Sequence, residues 1–310
     1  MRRLFPIRVP FAAWSRSFVM SEMFLLDKRA IRRSFDRAAA SYDAAALLQH
    51  EVCRRSLERL DFIRLAPARI LDAGSGTGNA WRGLARRYPK ARIVALDLAP
   101  GMLRQASSAL PWHQRWLRRG PLAVCGDLER LPLAGGCIDF AWSNLALQWV
   151  NALPQAFAEM RRVLAPGGLF LFTTFGPDTL KELRAAQADT DGRPHVNRFI
   201  DMHDIGDMLV KAGFADPVID METFTLTYDD ARAVMRDLKA IGAHNAAADR
   251  PPALSGKQWL AGVERNYERF RRDGKLPASF EVIYGHAWRP APRVGPGGKP
   301  VIDIKPVGGA

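Results

Sequence analysis

Three carboxylates and three glycines are the residues of this chain whose spacing could do chemistry. Asp72, Gly74, Gly76 and Gly78 form an Asp-x-Gly-x-Gly-x-Gly run, and Asp97 and Asp127 follow it. Each acid stands at or just past the end of a short apolar run: Ile70-Leu71, Arg92–Leu96 and Leu122–Cys125. The glycines let the backbone turn sharply and approach a ligand closely, because no Cβ intervenes. The dinucleotide fingerprint G-x-G-x-x-G would need glycine at position 79, which is Asn79. With a carboxylate at the strand end, the loop suits a cationic ligand better than a pyrophosphate. Asp97, at the end of the next strand, can accept two hydrogen bonds from ribose hydroxyls.

These groups need a scaffold, and the pattern around them alternates. Asn79–Tyr88 reads as a helix, Arg92–Leu96 as strand two and Ala99–Ala109 as the next helix. Leu122–Cys125 and Cys137–Trp142 read as strands three and four. Pro154–Leu164 reads as an amphipathic helix with Phe157, Met160 and Leu164 inward, and Leu169–Phe175 as strand five. That alternation predicts an α/β, doubly wound sheet. Ligands of such sheets bind outside the carboxyl ends of the strands, so Gln148 and Trp149 could line the cleft; Trp149 could equally be a buried structural residue. Upstream, Asp27–Ala40 reads as a basic helix with Arg29, Arg32, Arg33 and Arg37. A polar break at Ser41-Tyr42-Asp43 precedes a second helix whose inner positions are Leu47, Val52, Leu57 and Leu60. Downstream come a turn-rich insertion at Asp189–Ile200, a helix from Asp201 and sheet character over Phe214–Tyr228. Helices at Asp230–Ile241 and Gly256–Arg272 are joined by a loop around Arg250-Pro251-Pro252, and Phe280–Trp288 closes the sheet as its last strand.

The 310 residues allow one large domain or two small ones, and 48% hydrophobic with 25% charged content fits a soluble globular enzyme. No apolar run approaches the roughly 20 residues that span a membrane. Cys53, Cys125 and Cys137 have no metal-ligand spacing; they read as small core filler in a reduced compartment, and no metal is expected. A net charge of +13 suggests an acidic partner. No zinc-finger or interleaved basic-aromatic motif supports nucleic acid, so an acidic protein competes well. The basic, aromatic stretch Leu110–Gly120 is a candidate partner surface. Met1–Met20 carries Arg2, Arg3, Arg8 and Arg16 and no acid; it reads as an organellar targeting peptide, as a basic surface helix broken by Pro6 and Pro10 or, the favoured reading, as the product of an upstream start before Met20, with the first nineteen residues expected to be disordered.

The Asp72–Gly78 loop resembles the first motif of class I S-adenosylmethionine (SAM) methyltransferases. Three later stretches resemble one family within that class: Thr174–Arg184, His195–Asp207 and Asp237–Asn245. That family is the biotin-pathway malonyl-acyl-carrier-protein O-methyltransferases (BioC), and the likeness runs from about Lys28 to Trp288. It implies a Rossmann-like, doubly wound seven-stranded sheet with its last strand antiparallel, plus N-terminal helices and helical cap insertions. The expected layout is a basic extension (1–26), a helical lid (27–66), the methyltransferase domain (67–289) with cap insertions at about 176–212 and 229–278, and a flexible tail (290–310).

The resemblance implies SAM held by Asp72, Gly74, Ser75, Gly76, Gly78, Asp97, Leu98, Met102, Asp127, Leu128 and Asn144. Asp72 would face the ammonium side of its methionyl part and Asp127 the adenine amino group. It implies methyl transfer to the free carboxylate of a malonyl thioester. That nucleophile is already ionised, so no general base is needed. Tyr42 would close the lid or position substrate, and Arg198 is the first choice for pairing the carboxylate. Gln148, Trp149, Arg184, His195 and His203 are further substrate-side candidates. The implied partner is an acidic acyl carrier protein, docking on Arg29, Arg32, Arg33 and Arg37 or on Arg265, Arg269, Arg271 and Arg272. A cytoplasmic monomer without nucleic acid or membrane insertion is expected. Competing readings are another small-molecule SAM methyltransferase, acting on a quinone precursor or other carboxylic acid, and a SAM-binding assembly factor without turnover.

Overall fold

The computed structural model describes residues 25–112, 120–191, 196–243 and 256–291. The basic N-terminal stretch, the centre of the Leu110–Gly120 connection, His195, the loop around Arg250 and the tail beyond Ala291 lie outside the described residues.

Seven strands form one sheet: β1 (Arg69–Ala73), β2 (Arg92–Asp97), β3 (Leu122–Cys125), β4 (Ile138–Ser143), β5 (Leu164–Phe175), β6 (Ala215–Tyr228) and β7 (Leu276–Trp288). Their order is β3-β2-β1-β4-β5-β7-β6. The pairs from β3 through β5 are parallel, and β7 runs antiparallel to both its neighbours. The last strand is thus antiparallel as expected. It does not finish the sheet at its rim, however, but inserts between β5 and β6. The residues explain this: β7 is buried almost throughout, whereas β6 alternates half-buried and exposed positions, as an edge strand does.

Side-chain alternation sends successive residues to opposite faces, and both faces are covered. Ile70, Phe140, Trp142 and Leu169 pack with α3 (Leu47–Arg59), α4 (Trp81–Arg87) and α5 (Pro100–Ser108). Leu71, Ala141, Phe170 and Phe172 pack against α6 (Leu153–Val163) and α8 (Met202–Lys211). A third cluster joins the first half of β7 to α3, α7 (Lys181–Asp191), α9 (Ala231–Ala240) and α10 (Lys257–Tyr267). The segments expected as cap insertions therefore share a core with the sheet.

Ahead of these lie α1 (Lys28–Ala38), capped by the Asp27 carboxylate on the Arg29 and Ala30 amides, and the short α2 (Tyr42–Ala45). Two expectations need correction. Leu47 is 70% exposed and Leu48 takes the inner position in its place, while Val52 and Leu60 are buried and Leu57 packs against the core as expected. Of the cysteines only Cys53 is buried; Cys125 is exposed because β3 is an edge strand.

Candidate active site

The carboxyl ends of β1, β2 and β4 meet at one cavity. The glycine loop is pinned to β2: the Gly74 and Ser75 amides both donate to the Leu96 carbonyl, at 2.8 and 2.9 Å. Gly74, Gly76 and Gly78 all have positive φ (+78°, +53° and +83°), and each serves a different contact. A Cβ on Gly74 would stand 2.2 Å from that of Ala146, so this glycine lets two loops touch. A Cβ on Gly78 would meet the Trp81 ring at 2.7 Å. Its absence lets the indole fold under the loop, where Trp81 Nε1 donates to Asp72 at 3.0 Å. A Cβ on Gly76 would touch nothing within 4 Å, and Gly76 lines the cavity. That is the glycine a ligand would approach.

The two acids, Asp72 and Asp97, sit in this frame without a cationic partner among the described residues. Asp72 is 2% exposed, and burial pushes its carboxyl up to about 7, against the lowering pull of the Trp81 hydrogen bond; the Asp97 charge adds to the rise. Asp97 accepts from the Gly76 and Ala99 amides, each at 2.8 Å. Burial nevertheless pushes it up to about 6. Two carboxylates held this far from water favour a cation. The Ser75 hydroxyl is also buried and has no hydrogen-bond partner among the described residues.

The cavity wall collects Tyr42, Gly74, Gly76, Asp97, Leu98, Met102, Asp127, Leu128, Asn144, Gln148 and Trp149 from the sequence candidates. Asp72, near the end of β1, and Ser75 and Gly78, in the loop that follows, are not part of that wall. Asn144 accepts from the Thr173 hydroxyl at 3.0 Å and donates to the Gln49 carbonyl at 3.2 Å. Gln148 donates to the Leu145 carbonyl at 2.6 Å. Trp149 meets Phe35 edge-on, with centroids 5.3 Å apart, so it is both packed and part of the wall. Leu145, also in the wall, has φ +48°, a strained conformation for a branched-chain residue and a mark of functional loops. Tyr42 faces the same space; burial, with Asp97 and Asp43 nearby, raises its hydroxyl well above the ordinary phenol range.

Sequence reasoning missed the residues that α1 and α9 bring from far away: Lys28, Ile31, Phe35, Ile241 and Ala243. Lys28 Nζ pairs with Asp127 at 2.7 Å and with Glu129. The acid expected to meet adenine is thus already engaged by a lysine. A lysine on a basic helix gave no signal of this. Further contacts tie the same segment down: the Gly101 amide donates to Asp36 at 2.6 Å, Thr77 Oγ1 to Asp43 at 2.5 Å, and the Leu26 amide to Asn151 at 2.7 Å.

The structure does not bring the remaining candidates to the cavity wall. Arg184 is half-buried on α7, with Nη2 donating to the carbonyls of Pro177 and Thr179 at 2.8 and 2.5 Å. Its Nε is buried without a partner among the described residues, and burial, with Arg198 also near, lowers its pKa. Arg198 itself is exposed. His203 is 82% exposed at the start of α8 and pairs with Asp201 at 2.8 Å, a local contact of the helix cap. His195 lies outside the described residues.

Comparison with known proteins agrees with this geometry. Residues 71–172 match the family described as "Methyltransferase domain". Among solved structures, the YcgJ protein of Bacillus subtilis superposes with a TM-score of 0.53 at 19% identity, over 76% of this chain and 99% of its own. Phosphoethanolamine N-methyltransferase 2 of Haemonchus contortus, solved with S-adenosyl-L-methionine, gives 0.51 at 16%, over 82% and 57%. The fold is that of class I SAM-dependent methyltransferases, and the chain is a member of that class. The malonyl-[acyl-carrier protein] O-methyltransferase of Gallionella capsiferriformans is 58% identical over 90% of this chain and 97% of its own length. That of Laribacter hongkongensis is 59% identical over 88% and 93%. The chain belongs to the malonyl-[acyl-carrier protein] O-methyltransferase family.

Proposed function

We propose that this chain transfers a methyl group from SAM to the free carboxylate of a malonyl group carried as a thioester on an acyl carrier protein, giving the malonyl methyl ester that primes biotin synthesis in the cytoplasm. The family match over nine-tenths of the chain carries this reading, because the cavity alone speaks only to the cofactor. The cavity is consistent with that cofactor: buried Asp72 and half-buried Asp97 have no counter-cation among the described residues, and the Gly76 approach is open where a side chain would intrude. When bound, SAM supplies an electrophilic methyl on a sulfonium centre.

The protein's own residues would do the following. Asp72, with the Gly74–Gly78 backbone, holds the ammonium end; Asp97 holds the ribose hydroxyls. Leu98, Met102 and Leu128 supply apolar wall, and Asp127 sits at the adenine end, paired with Lys28 in the same wall. No base is required, because the acceptor carboxylate is ionised at neutral pH. Tyr42 stays protonated throughout that range and so can donate a hydrogen bond but not take a proton. Helices α1 and α2 form the cover that excludes water around the nucleophile, which strengthens every interaction inside. Arg198, with Arg184 behind it, is the candidate for orienting the malonyl carboxylate as the substrate enters.

The test is a methyl-transfer assay with SAM and malonyl carrier protein, read by product mass and by S-adenosylhomocysteine release. Methyl ester formation is expected. Transfer to a quinone precursor instead, or cofactor binding with no turnover on any acid, would refute it.

A further inference from the structure

The carrier-protein reading leaves open where that partner sits, and two basic surfaces compete for it. We propose that the outer face of α1 is the docking surface, with Arg29, Arg33 and Arg37 as the contacts for the carrier's acidic face. This rests on the proposed function and narrows it to one surface.

Three observations separate α1 from the late helix. The first is charge that is not already used. Lys28–Ala38 carries five cationic side chains and one carboxylate. Arg29, Arg33 and Arg37 are spaced four apart, so they form one stripe along the helix, and all three are exposed. Among the described residues none of the three has an acid within ion-pair distance. Arg32 is the exception, at 3.8 Å from Asp36, and Asp36 itself turns inward to the Gly101 amide. The second concerns the rival cluster, where two of the four arginines, Arg269 and Arg271, are already in ion pairs. Arg269 pairs with Asp189 at 2.5 Å, and Arg271 pairs with Glu268 at 2.7 Å. Arg271 also donates to the carbonyls of Asp229 and Gly274. The third is position. Ile31 and Phe35, on the opposite face of α1, line the cavity, whereas no residue of α10 does. A partner on the arginine stripe is therefore one helix diameter, about 10 Å, from the reaction space. A thioester arm leaving that partner has only to pass the edge of α1.

Exposed pairs contribute little singly, but a stripe facing a complementary surface raises the encounter rate and makes it salt-sensitive. The experiment compares three full-length proteins with malonyl carrier protein as acceptor: wild type, Arg29→Glu/Arg33→Glu/Arg37→Glu, and a control of equal charge change, Arg265→Glu/Arg269→Glu/Arg272→Glu. SAM affinity by calorimetry and thermal melting report whether each variant is folded and competent. The stripe variant is expected to raise KM for the carrier substrate roughly tenfold or more, with SAM affinity unchanged and the salt dependence of KM flattened. The control should stay within about twofold of wild type. Should the triple variant fail to fold, Arg33→Gln alone is expected to raise KM a few-fold and to weaken the salt dependence. An unchanged KM in a folded stripe variant, or an equal rise in the control, overturns the proposal. So does loss of duplex DNA binding in the stripe variant with carrier kinetics intact. If wild type forms no methyl ester on malonyl carrier protein at all, the proposed function has failed, and that result is distinct from a misplaced surface.

Discussion

Asp72→Asn is the substitution that tests the site most directly. The carboxyl is moved from an ordinary 3.8 to about 7, chiefly by burial, which corresponds to roughly 4 kcal/mol against its ionised form in the ligand-free protein. The sign follows from proton counting. Between those two values the folded protein holds a proton that the unfolded chain has released. Stability contributed by this group is therefore lost as pH rises toward about 7, and the loss is complete above it. Asparagine carries no such proton. It can keep the acceptor for Trp81 Nε1, but buries an amide N–H lacking an acceptor, at about 1–3 kcal/mol. Near pH 8 the variant should come out more stable than wild type by roughly 1–3 kcal/mol, and near pH 5 the difference should vanish or reverse. Urea unfolding of ligand-free protein at the two pH values measures this. Calorimetry on the same samples should show SAM affinity down at least about tenfold, since a buried charged contact is removed. A stability difference that does not vary with pH, or SAM binding as tight as wild type, would refute the assignment of Asp72 as the cation's partner.

Other substitutions probe separate parts of the site. Gly76→Ala places a methyl in open cavity space at φ +53°, so about 1–2 kcal/mol of backbone strain should accompany a marked loss of SAM affinity by calorimetry. Gly74→Ala drives its methyl against Ala146 and should instead lower the melting temperature, costing roughly 2–4 kcal/mol. Lys28→Met removes the part-buried contacts with Asp127 and Glu129; amides of α1 should exchange with deuterium about fivefold faster, while those of β4 do not change. Arg198→Ala should lower methyl transfer roughly tenfold to a hundredfold with SAM affinity intact; undiminished transfer would remove it from the substrate role.

The half of the cavity proposed for the cofactor was legible because its signals are local. Asp72, Gly76 and Asp97 stand at strand ends, and a strand end in a parallel sheet has only one place to go. The other half was not, because Lys28, Ile31, Phe35 and Ile241 reach the wall only when α1 and α9 pack over it, and the pairing of Lys28 with Asp127 spans ninety-nine positions. Side-chain roles that depend on turn geometry were equally hidden. Arg184 spends Nη2 on two backbone carbonyls that the Pro177–Leu180 turn presents, and Leu180 there holds φ +56°. His203 was singled out for its chemistry, yet it answers to the Asp201 cap beside it. The strand order was not legible: Phe280, Val282 and Tyr284 alternate in the sequence as a closing strand would, and only the structure shows β7 buried almost throughout, with β6 as the alternating edge.

The way the cover is fastened fits the chemistry asked of it. Helix α1 buries only Ile31, Ser34 and Ala38. Its attachments around the cavity, with Phe35 against Trp149 the apolar exception, are mostly polar: Lys28 to Asp127, Asp36 to the Gly101 amide, and on α2 Asp43 to Thr77. Such contacts sit at the rim, where water can replace each one, so releasing them costs far less than exposing an apolar face. The sheet beneath is the reverse, with Ile70, Leu71, Phe140 and Trp142 fully buried. A rigid floor holding the acids and a cheaply released cover is what a transfer between a small cofactor and a protein-borne acceptor requires. The floor must keep Asp72 and Asp97 dry enough to prefer a cation. The cover must part for the cofactor to be exchanged, and close so that water does not compete at the reacting oxygen.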